Sequence, residues 1–426
     1  MLSSDSIFFG KLARRLFATN SPIATRCLRR WTSSLLRPGA ELNTKYICDP
    51  INADEIEKNI KLRKCDGDIR LVHQLFHEWQ NTLSDKIRLQ FEEEALKIPN
   101  RTLEHREENK CLKISGHQKP DTKPLADVAK KHGWCRTNNL GNFVGPRGYY
   151  FFGELVDLQQ ALVNVVIQTL LKKNFQLVSV PDILPAEAIE NCGMPTRGER
   201  TQVFRLVERH GNDLCLSGTA EMGLGARFMD TTIAREKLPL KVAAISRCFR
   251  AETGNVGEEK GIYRVYQFTK VEMFALTPGD IQSSQAVQNE FVSIQTQLNE
   301  SMGLHFRLLD MASDELGKPA MRKVDLEAWM PGRRMWGELS SCSDCGDYQS
   351  RRLNIREAES GSFVHTVNGT ALAVPRTLMA LVETHQTPEG TVVVPEILRS
   401  ELDREVLGAS PVKMTHGKYI RSYDGN

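Results

Sequence analysis

Residues 245–274 read ISRCFRAETGNVGEEKGIYRVYQFTKVEMF. Two runs of strand-forming residues flank a loop rich in glycine and charge, Thr253 to Gly261. In the first run Arg250 and Glu252 stand two apart, so on a strand both side chains leave the same face. In the second run, after Val265, the residues Phe268, Lys270 and Glu272 share a face by the same rule. The two runs are expected to form an antiparallel hairpin that gathers an arginine, a lysine, two carboxylates and an aromatic ring on one side. An ordinary sheet turns an apolar face to its core, so a face this charged needs a partner. A nucleoside triphosphate together with a small zwitterion would supply one. A salt-bridged sheet surface is the alternative.

The flanking segments carry further signals. Residues 149–173, YYFFGELVDLQQALVNVVIQTLLKK, place Leu155, Leu158, Leu162, Val165, Val166, Leu170 and Leu171 at helical spacing. Lysines stand at the C-terminal end, where the helix dipole favours them. The strand-like FQLVSVP follows and ends at Pro181. In LSGTAEMGL, residues 216–224, Thr219, Ala220 and Glu221 suit an ammonium group, whose three donors need a carboxylate and neutral acceptors. By itself that tripeptide is more commonly a helix cap. Alternation through GELSS puts Glu338 and Ser340 on one face. Cys342 and Cys345 follow, but no second ligand pair stands at a matching distance for zinc, so two buried thiols is the preferred reading. Residues 368–399 begin as a small-residue strand and turn into a helix carrying Arg376, Leu378, Leu381 and Val382. Pro375 stands in its first turn, where proline is tolerated. A turn over Gln386 to Gly390 and a short strand, VVVPEIL, complete the stretch.

The run FRAE, a loop, then YRVYQFTKVE resembles motif 2 of a class II aminoacyl-tRNA synthetase, in the form found in seryl-tRNA synthetases. The long helix, strand and proline before it resemble motif 1, and NGTALAVPR with its helix resembles motif 3. TAE, FRAE, QFTKVE, ELSS and NGTALAVPR stand in that family's order over roughly residues 145 to 400. The resemblance implies an α+β class II fold: an antiparallel sheet flanked by helices, preceded by a short N-terminal helical domain, a stunted coiled-coil arm. It implies activation of serine by ATP with Mg2+ to seryl-adenylate, then transfer to the 3′ end of tRNA(Ser), by a homodimer built on motif 1.

The same resemblance assigns roles. Arg250 would contact the α-phosphate and the amino-acid carboxylate, bridging charge that builds when carboxylate attacks phosphorus. With Ala251, Glu252 would hold adenine by its amino group, Phe268 would stack on the ring and Val265 would line the ATP site. Glu338, Leu339, Ser340 and Ser341 would bind ATP, with Glu338 and Ser341 near Mg2+, a hard cation that prefers oxygen ligands. Arg376 would contact the γ-phosphate, and Arg250, Glu338 and Arg376 would carry catalysis. Thr219, Ala220, Glu221, Glu272, Asn368 and Thr370 would hold serine, Glu272 at the ammonium and hydroxyl and Thr370 at the hydroxyl. The loop Thr253 to Gly261 would meet the acceptor end of the tRNA. The alternative is a non-catalytic paralogue that binds RNA or a protein partner; its mark would be lost catalytic residues, and Arg250, Glu252, Glu272, Glu338 and Arg376 are all present.

The 426 residues have room for one large or two medium domains. Apolar residues at 40% and charged residues at 26% suit an ordinary globular chain. A net charge of +3 does not advertise nucleic-acid binding, but a local basic patch would suffice for it. No apolar run reaches membrane-spanning length, so no membrane partner is expected. Ten cysteines without repeating spacing fit reduced thiols inside the cell.

Residues 1–40 stand apart. Lys11, Arg14, Arg15, Arg26, Arg29, Arg30 and Arg37 interleave with apolar residues and Asp5 is the only acid, the composition of a mitochondrial transit peptide. The expected location is the mitochondrial matrix; a basic arm that contacts RNA is the other reading. Residues 41–118 are expected as the helical tRNA-binding domain. Apolar residues recur there at helical spacing from Ile56 to Leu96 without a proline, in two or three short helices. A helix of roughly 15 residues reaches only about 22 Å, well short of the long arm usual in the family. Serine tRNAs of animal mitochondria lack the long variable arm that such a hairpin grips. Residues 119–426 are expected as the catalytic domain with a polar tail, and 101–145 as a connector.

Overall fold

The computed structural model describes residues 36–409 apart from 38, 138–143, 146, 199–200, 208, 210–212 and 253–260. Residues 1–35 of the expected leader, almost all of the motif 2 loop and the polar tail beyond 409 lie outside the described residues.

After single helical turns at Thr44–Ile47 and Pro50–Asn52, three longer helices follow: α1 (Ala53–Leu62), α2 (Ile69–Thr82) and α3 (Asp85–Ala95). The break between α1 and α2 comes from a cap. The Asp68 carboxylate accepts from the N–H groups of Arg70 (2.9 Å) and Leu71 (3.1 Å). The chain reverses between α2 and α3 at Leu83, in left-handed backbone at φ 49°. Ile56, Ile60, Ile69, Val72, Leu75, Phe91 and Ala95 close one small apolar core. Arg63 fastens this unit to the rest. It is 3% exposed, and its guanidinium donates to the carbonyls of Asn100 (2.8 Å), Ala320 (3.0 Å), Leu316 (3.3 Å) and Gly317. Those four acceptors offset the cost of burying a cation.

The segment expected as a connector contains an edge strand, β1 (Lys110–Ser115), and a helix, α4 (Leu125–His132). The strand escaped the sequence reading because it is a short edge strand, nearly all exposed, with its register broken between Cys111 and Lys113. The sheet continues with β2 (Gln176–Leu177), β3 (Leu240–Phe249), β4 (Gln267–Thr277), β5 (Phe306–Asp310), β6 (Arg322–Met330), β7 (Met335–Gly346) and β8 (His365–Ala373). Their spatial order is β1-β5-β6-β7-β8-β4-β3-β2. Every neighbouring pair is antiparallel except β2 with β3. The remaining helices are α5 (Glu154–Lys172), α6 (Ala186–Asn191), α7 (Ala220–Arg227), α8 (Ile281–Ser301), α9 (Tyr348–Leu353), α10 (Val374–Thr384) and α11 (Glu396–Leu402). The antiparallel sheet flanked by helices is therefore the one expected. VVVPEIL is a strand only at Val392–Val393; Pro395 stands at the N-cap of α11, and Glu396 to Leu398 are helical.

Alternation along β3 and β4 builds two cores. Ala243, Val271, Met273 and Ala275 pack with Leu155 and Leu158 of α5, Phe291 and Ile294 of α8, and Leu378 and Leu381 of α10. Val242, Ala244, Phe274 and Leu276 take the other face, under Ile189 of α6, Leu224 of α7 and Leu353 of α9. This second layer covers only part of its face. Further along β4 the same face carries Glu272, Lys270 and Phe268, and the candidate site begins there.

Candidate active site

The ladder between β3 and β4 ends at Phe249 opposite Gln267, so Arg250 and Glu252 lie beyond the strand that alternation assigned them. The chain bends instead. The Arg250 N–H donates to the Tyr266 carbonyl (2.8 Å), the Ala251 N–H to the Gln202 carbonyl (2.8 Å), and Glu252 takes a left-handed φ of 46°. The bend still delivers Arg250 and Glu252 to a single cavity, which Val265, Phe268, Lys270, Glu338, Leu339, Ser341, Thr370 and Arg376 also line. Ala251 is not among the lining residues; its backbone is engaged with Gln202.

A bulge places Glu338 and Ser341. Ser340 faces Leu326 and Glu338 faces Glu327, so Leu339 is an extra residue in β7. The extra residue reverses the alternation. Glu338 and Ser341 therefore both reach the cavity, while Ser340, expected to share the Glu338 face, is 3% exposed and does not line it. Arg376 stands in the first turn of α10, behind Pro375. Its guanidinium donates to the Glu338 carbonyl (2.9 Å), to Glu338 Oε2 (3.1 Å) and to the Tyr263 carbonyl (3.3 Å), and lies 4.4 Å from the Tyr263 ring centre. Burial works to raise the Glu338 carboxyl, but Arg376, Lys323 and Arg250 outweigh it and hold it down to about 2. A carboxylate kept ionised beside a hydroxyl is a donor set that fits a hard divalent cation. Arg250 lies over Phe268, 5.3 Å from the ring centre, and donates from Nε to the Gly218 carbonyl (3.4 Å).

Thr219 is the N-cap of α7 and also a member of the site. Its hydroxyl accepts from the Glu221 N–H (3.3 Å) and from Lys270 Nζ (2.6 Å), and donates to Glu272 Oε2 (3.2 Å). One hydroxyl thus uses both lone pairs and its proton. Lys270 Nζ also pairs with Glu272 Oε2. Ala220 follows as the first residue of α7. Glu221 Oε1 accepts from Gln349 Nε2 (2.6 Å) and Asn368 Nδ2 (3.0 Å), which leaves Oε2 for a ligand. Burial and the neighbouring Glu272 carboxylate push Glu221 up to about 7. Thr370 stands opposite Glu272 in the β8–β4 ladder.

Cys342 and Cys345 are both fully buried, and burial pushes their thiols well above the usual range. Among the described residues no group of three or more His, Cys, Asp or Glu side chains could hold a metal. Two site members had no sequence signal. Tyr263, whose hydroxyl accepts from the Glu338 N–H (3.2 Å), comes from an irregular segment. Gln349, which fixes Glu221, comes from a short helix 128 residues away.

Residues 204–385 match the tRNA synthetase class II core domain (G, H, P, S and T), and the antiparallel sheet flanked by helices is the corresponding fold. The mitochondrial serine–tRNA ligase of Mus musculus is 40% identical over 332 residues, 75% of this chain and 64% of that protein. The serine–tRNA ligase of Borrelia recurrentis (strain A1) is 38% identical over 301 residues, 68% of this chain and 70% of that protein. Among solved structures, the cytoplasmic serine–tRNA ligase of Naegleria fowleri in complex with AMP superposes with a TM-score of 0.76 at 26% identity, over 86% of this chain and 99% of that one. The chain belongs to the serine–tRNA ligase family. It spans about 64% of the length of the mouse relative.

Proposed function

We propose that this chain is a mitochondrial serine–tRNA ligase that condenses serine with ATP to seryl-adenylate and then charges tRNA(Ser). The observation that carries the reading is the meeting of two sets of groups at Lys270. One set is phosphate- and purine-directed: Arg250, Phe268, Glu338, Ser341 and Arg376. The other suits a small zwitterion: Thr219, Glu221, Glu272 and Thr370. Lys270 lines the cavity of the first set and bonds to the second.

Arg250 would bridge the serine carboxylate and the α-phosphate and neutralise charge as the oxygen–phosphorus bond forms. Arg376 would hold the γ-phosphate end, and Glu252, Phe268 and Val265 the adenine. Glu338 and Ser341 would hold Mg2+, which when bound neutralises phosphate charge. Glu221 and Glu272 would accept from the ammonium, and Thr370 would meet the hydroxyl, with Asn368 holding Glu221. Positioning and charge neutralisation would supply the rate, with no protein nucleophile.

The bound AMP of the Naegleria fowleri neighbour and the name of the mouse relative support the nucleotide and the compartment. The basic composition of residues 1–40 supports import, and the matrix is the expected destination. A homodimer is supported by exposed apolar side chains around the motif 1 segment: Tyr150, Val156, Leu177, Ile183 and Ile245. The helices of residues 41–118 would contact the tRNA, and 119–426 would form the catalytic unit.

The test is ATP–pyrophosphate exchange on protein lacking residues 1–40, with serine, threonine, alanine or no amino acid. Exchange with serine alone is the expected result. No exchange from a folded protein would overturn the reading in favour of the non-catalytic paralogue.

A further inference from the structure

We infer that Gln295 is a positioning residue: from behind the sheet, its side-chain amide holds β7 and β8 apart where the cavity lies between them. Gln295 and Gln288 stand seven residues apart on α8, two turns, and so face the sheet together; both are fully buried. Gln288 Nε2 donates to the carbonyls of Arg322 (3.2 Å) and Cys342 (3.2 Å). Gln295 Nε2 donates to the carbonyls of Ser341 (2.9 Å) and Thr370 (2.8 Å).

Those last two carbonyls belong to different strands. The β7–β8 ladder runs to Cys342 opposite Gly369 and goes no further toward the cavity. Past that pair Ser341 answers to Asp325 in β6 and Thr370 to Glu272 in β4. Each strand then carries an extra residue, Leu339 in β7 and Ala371 in β8. The strands part, and one amide group spans the gap. Glycine at 369 admits the helix. A Cβ there would lie 3.3 Å from the Phe291 ring and 3.4 Å from Gln295 Nε2, tighter than an ordinary contact.

Two acceptors facing one end of the amide settle which end is nitrogen. Gln295 Oε1 is buried and has no hydrogen-bond partner. A side chain kept for packing alone would do better without that unsatisfied oxygen. The amide is therefore held for its two donors. The residues it fixes are the ones on opposite sides of the reaction: Ser341 with ATP and Thr370 with serine. The proposal rests on the serine-activation reading.

Loss of the bridge should leave each substrate its own contacts but displace one subsite relative to the other. Misplacement of reacting groups by about 1 Å can cost roughly a hundredfold in rate. The experiment is pyrophosphate exchange with serine and ATP each varied, on wild type, Gln295→Met, Gln295→Glu and Gln288→Met, with thermal unfolding of all four. Gln295→Met is expected to lose about ten- to a hundredfold in kcat, with both KM values within roughly threefold. Gln288→Met removes three hydrogen bonds from the same helix away from the cavity, one more than Gln295→Met, because Gln288 Oε1 also accepts from Arg322 Nη1 (3.2 Å). It should lower Tm at least as much and hold kcat within about twofold. Gln295→Glu, protonated against two carbonyls, keeps one donor and should fall between wild type and Gln295→Met; it also stands in if the methionine variant does not fold. Equal kcat losses at 288 and 295, or effects confined to KM, would mean that the amide is merely structural. A wild-type protein without serine-dependent exchange would remove the activation reading, and the proposal with it.

Discussion

Glu221 gives the sharpest quantitative test of the proposed serine site. Burial and the Glu272 carboxylate raise its carboxyl to about 7, against the opposing pull of Gln349, Lys270 and Arg250. An ammonium ligand needs the ionised form. With a midpoint near 7, about one-eleventh of the protein is ready at pH 6 and about ten-elevenths at pH 8, so kcat/KM for serine should rise roughly tenfold over that interval. The sign for the free protein is the opposite. A carboxyl raised above its unfolded value near 4.5 favours the folded state when protonated, so its contribution to stability fades as pH climbs from about 4.5 through 7. Serine should therefore protect against heat more strongly at pH 8 than at pH 6. Asp325, which burial also raises to about 7, lies opposite Ser341 on the proposed ATP side, so ATP is held saturating throughout. The assay is exchange at pH 6, 7 and 8 with serine varied, on wild type and Glu221→Gln. A flat wild-type profile, or the same slope in Glu221→Gln, would refute the argument.

Two further outcomes test other parts of the chain. Leu83, 77% exposed at φ 49°, is a left-handed leucine between α2 and α3, and Leu83→Gly should be neutral or stabilising by up to about 1 kcal/mol in thermal unfolding. Lys86 is exposed at the start of α3, and Lys86→Glu should raise KM for tRNA roughly three- to tenfold while leaving serine-dependent exchange unchanged; equal losses in both would mean that the hairpin does not touch tRNA.

The regular parts of this fold were legible because regular strands and helices announce themselves by period. Helix α5 and the shared face of Phe268, Lys270 and Glu272 both follow from spacing. The departures came where the backbone leaves regularity. Glu252 sits in left-handed conformation past the end of β3, and Leu339 is an extra residue that undoes the expected pairing of Glu338 with Ser340. Neither event has a signature such as glycine or proline at the position. Strand β1 was missed for another reason: it is an edge strand with exposed side chains. The motifs named the candidate residues without the geometry that joins them. Gln295 and Gln349 act through single amide groups from helices whose sequences look like ordinary polar faces.

The charge balance of the cavity separates the two arginines. Arg376 is paired with Glu338, Lys270 with Glu272, and Glu252 with Arg264 at 3.6 Å. Among the described residues Arg250 is the lining cation without a carboxylate at ion-pair distance; its contacts are the Gly218 carbonyl and the Phe268 ring. A guanidinium half-buried over an aromatic ring and short of an anion is placed for an anion that arrives with the substrates. Arg250→Ala should therefore lower exchange by at least about a hundredfold, the scale of one lost oxyanion donor, with Tm within a degree or two of wild type. Arg376→Ala should lose activity and stability together. It strips donors from two backbone carbonyls and the counter-ion from Glu338, together about 2 kcal/mol once the partial exposure of that carboxylate is discounted. A large fall in Tm for Arg250→Ala would mean that its charge serves the fold, and the assignment of Arg250 to the reacting phosphate would then lose its physical basis.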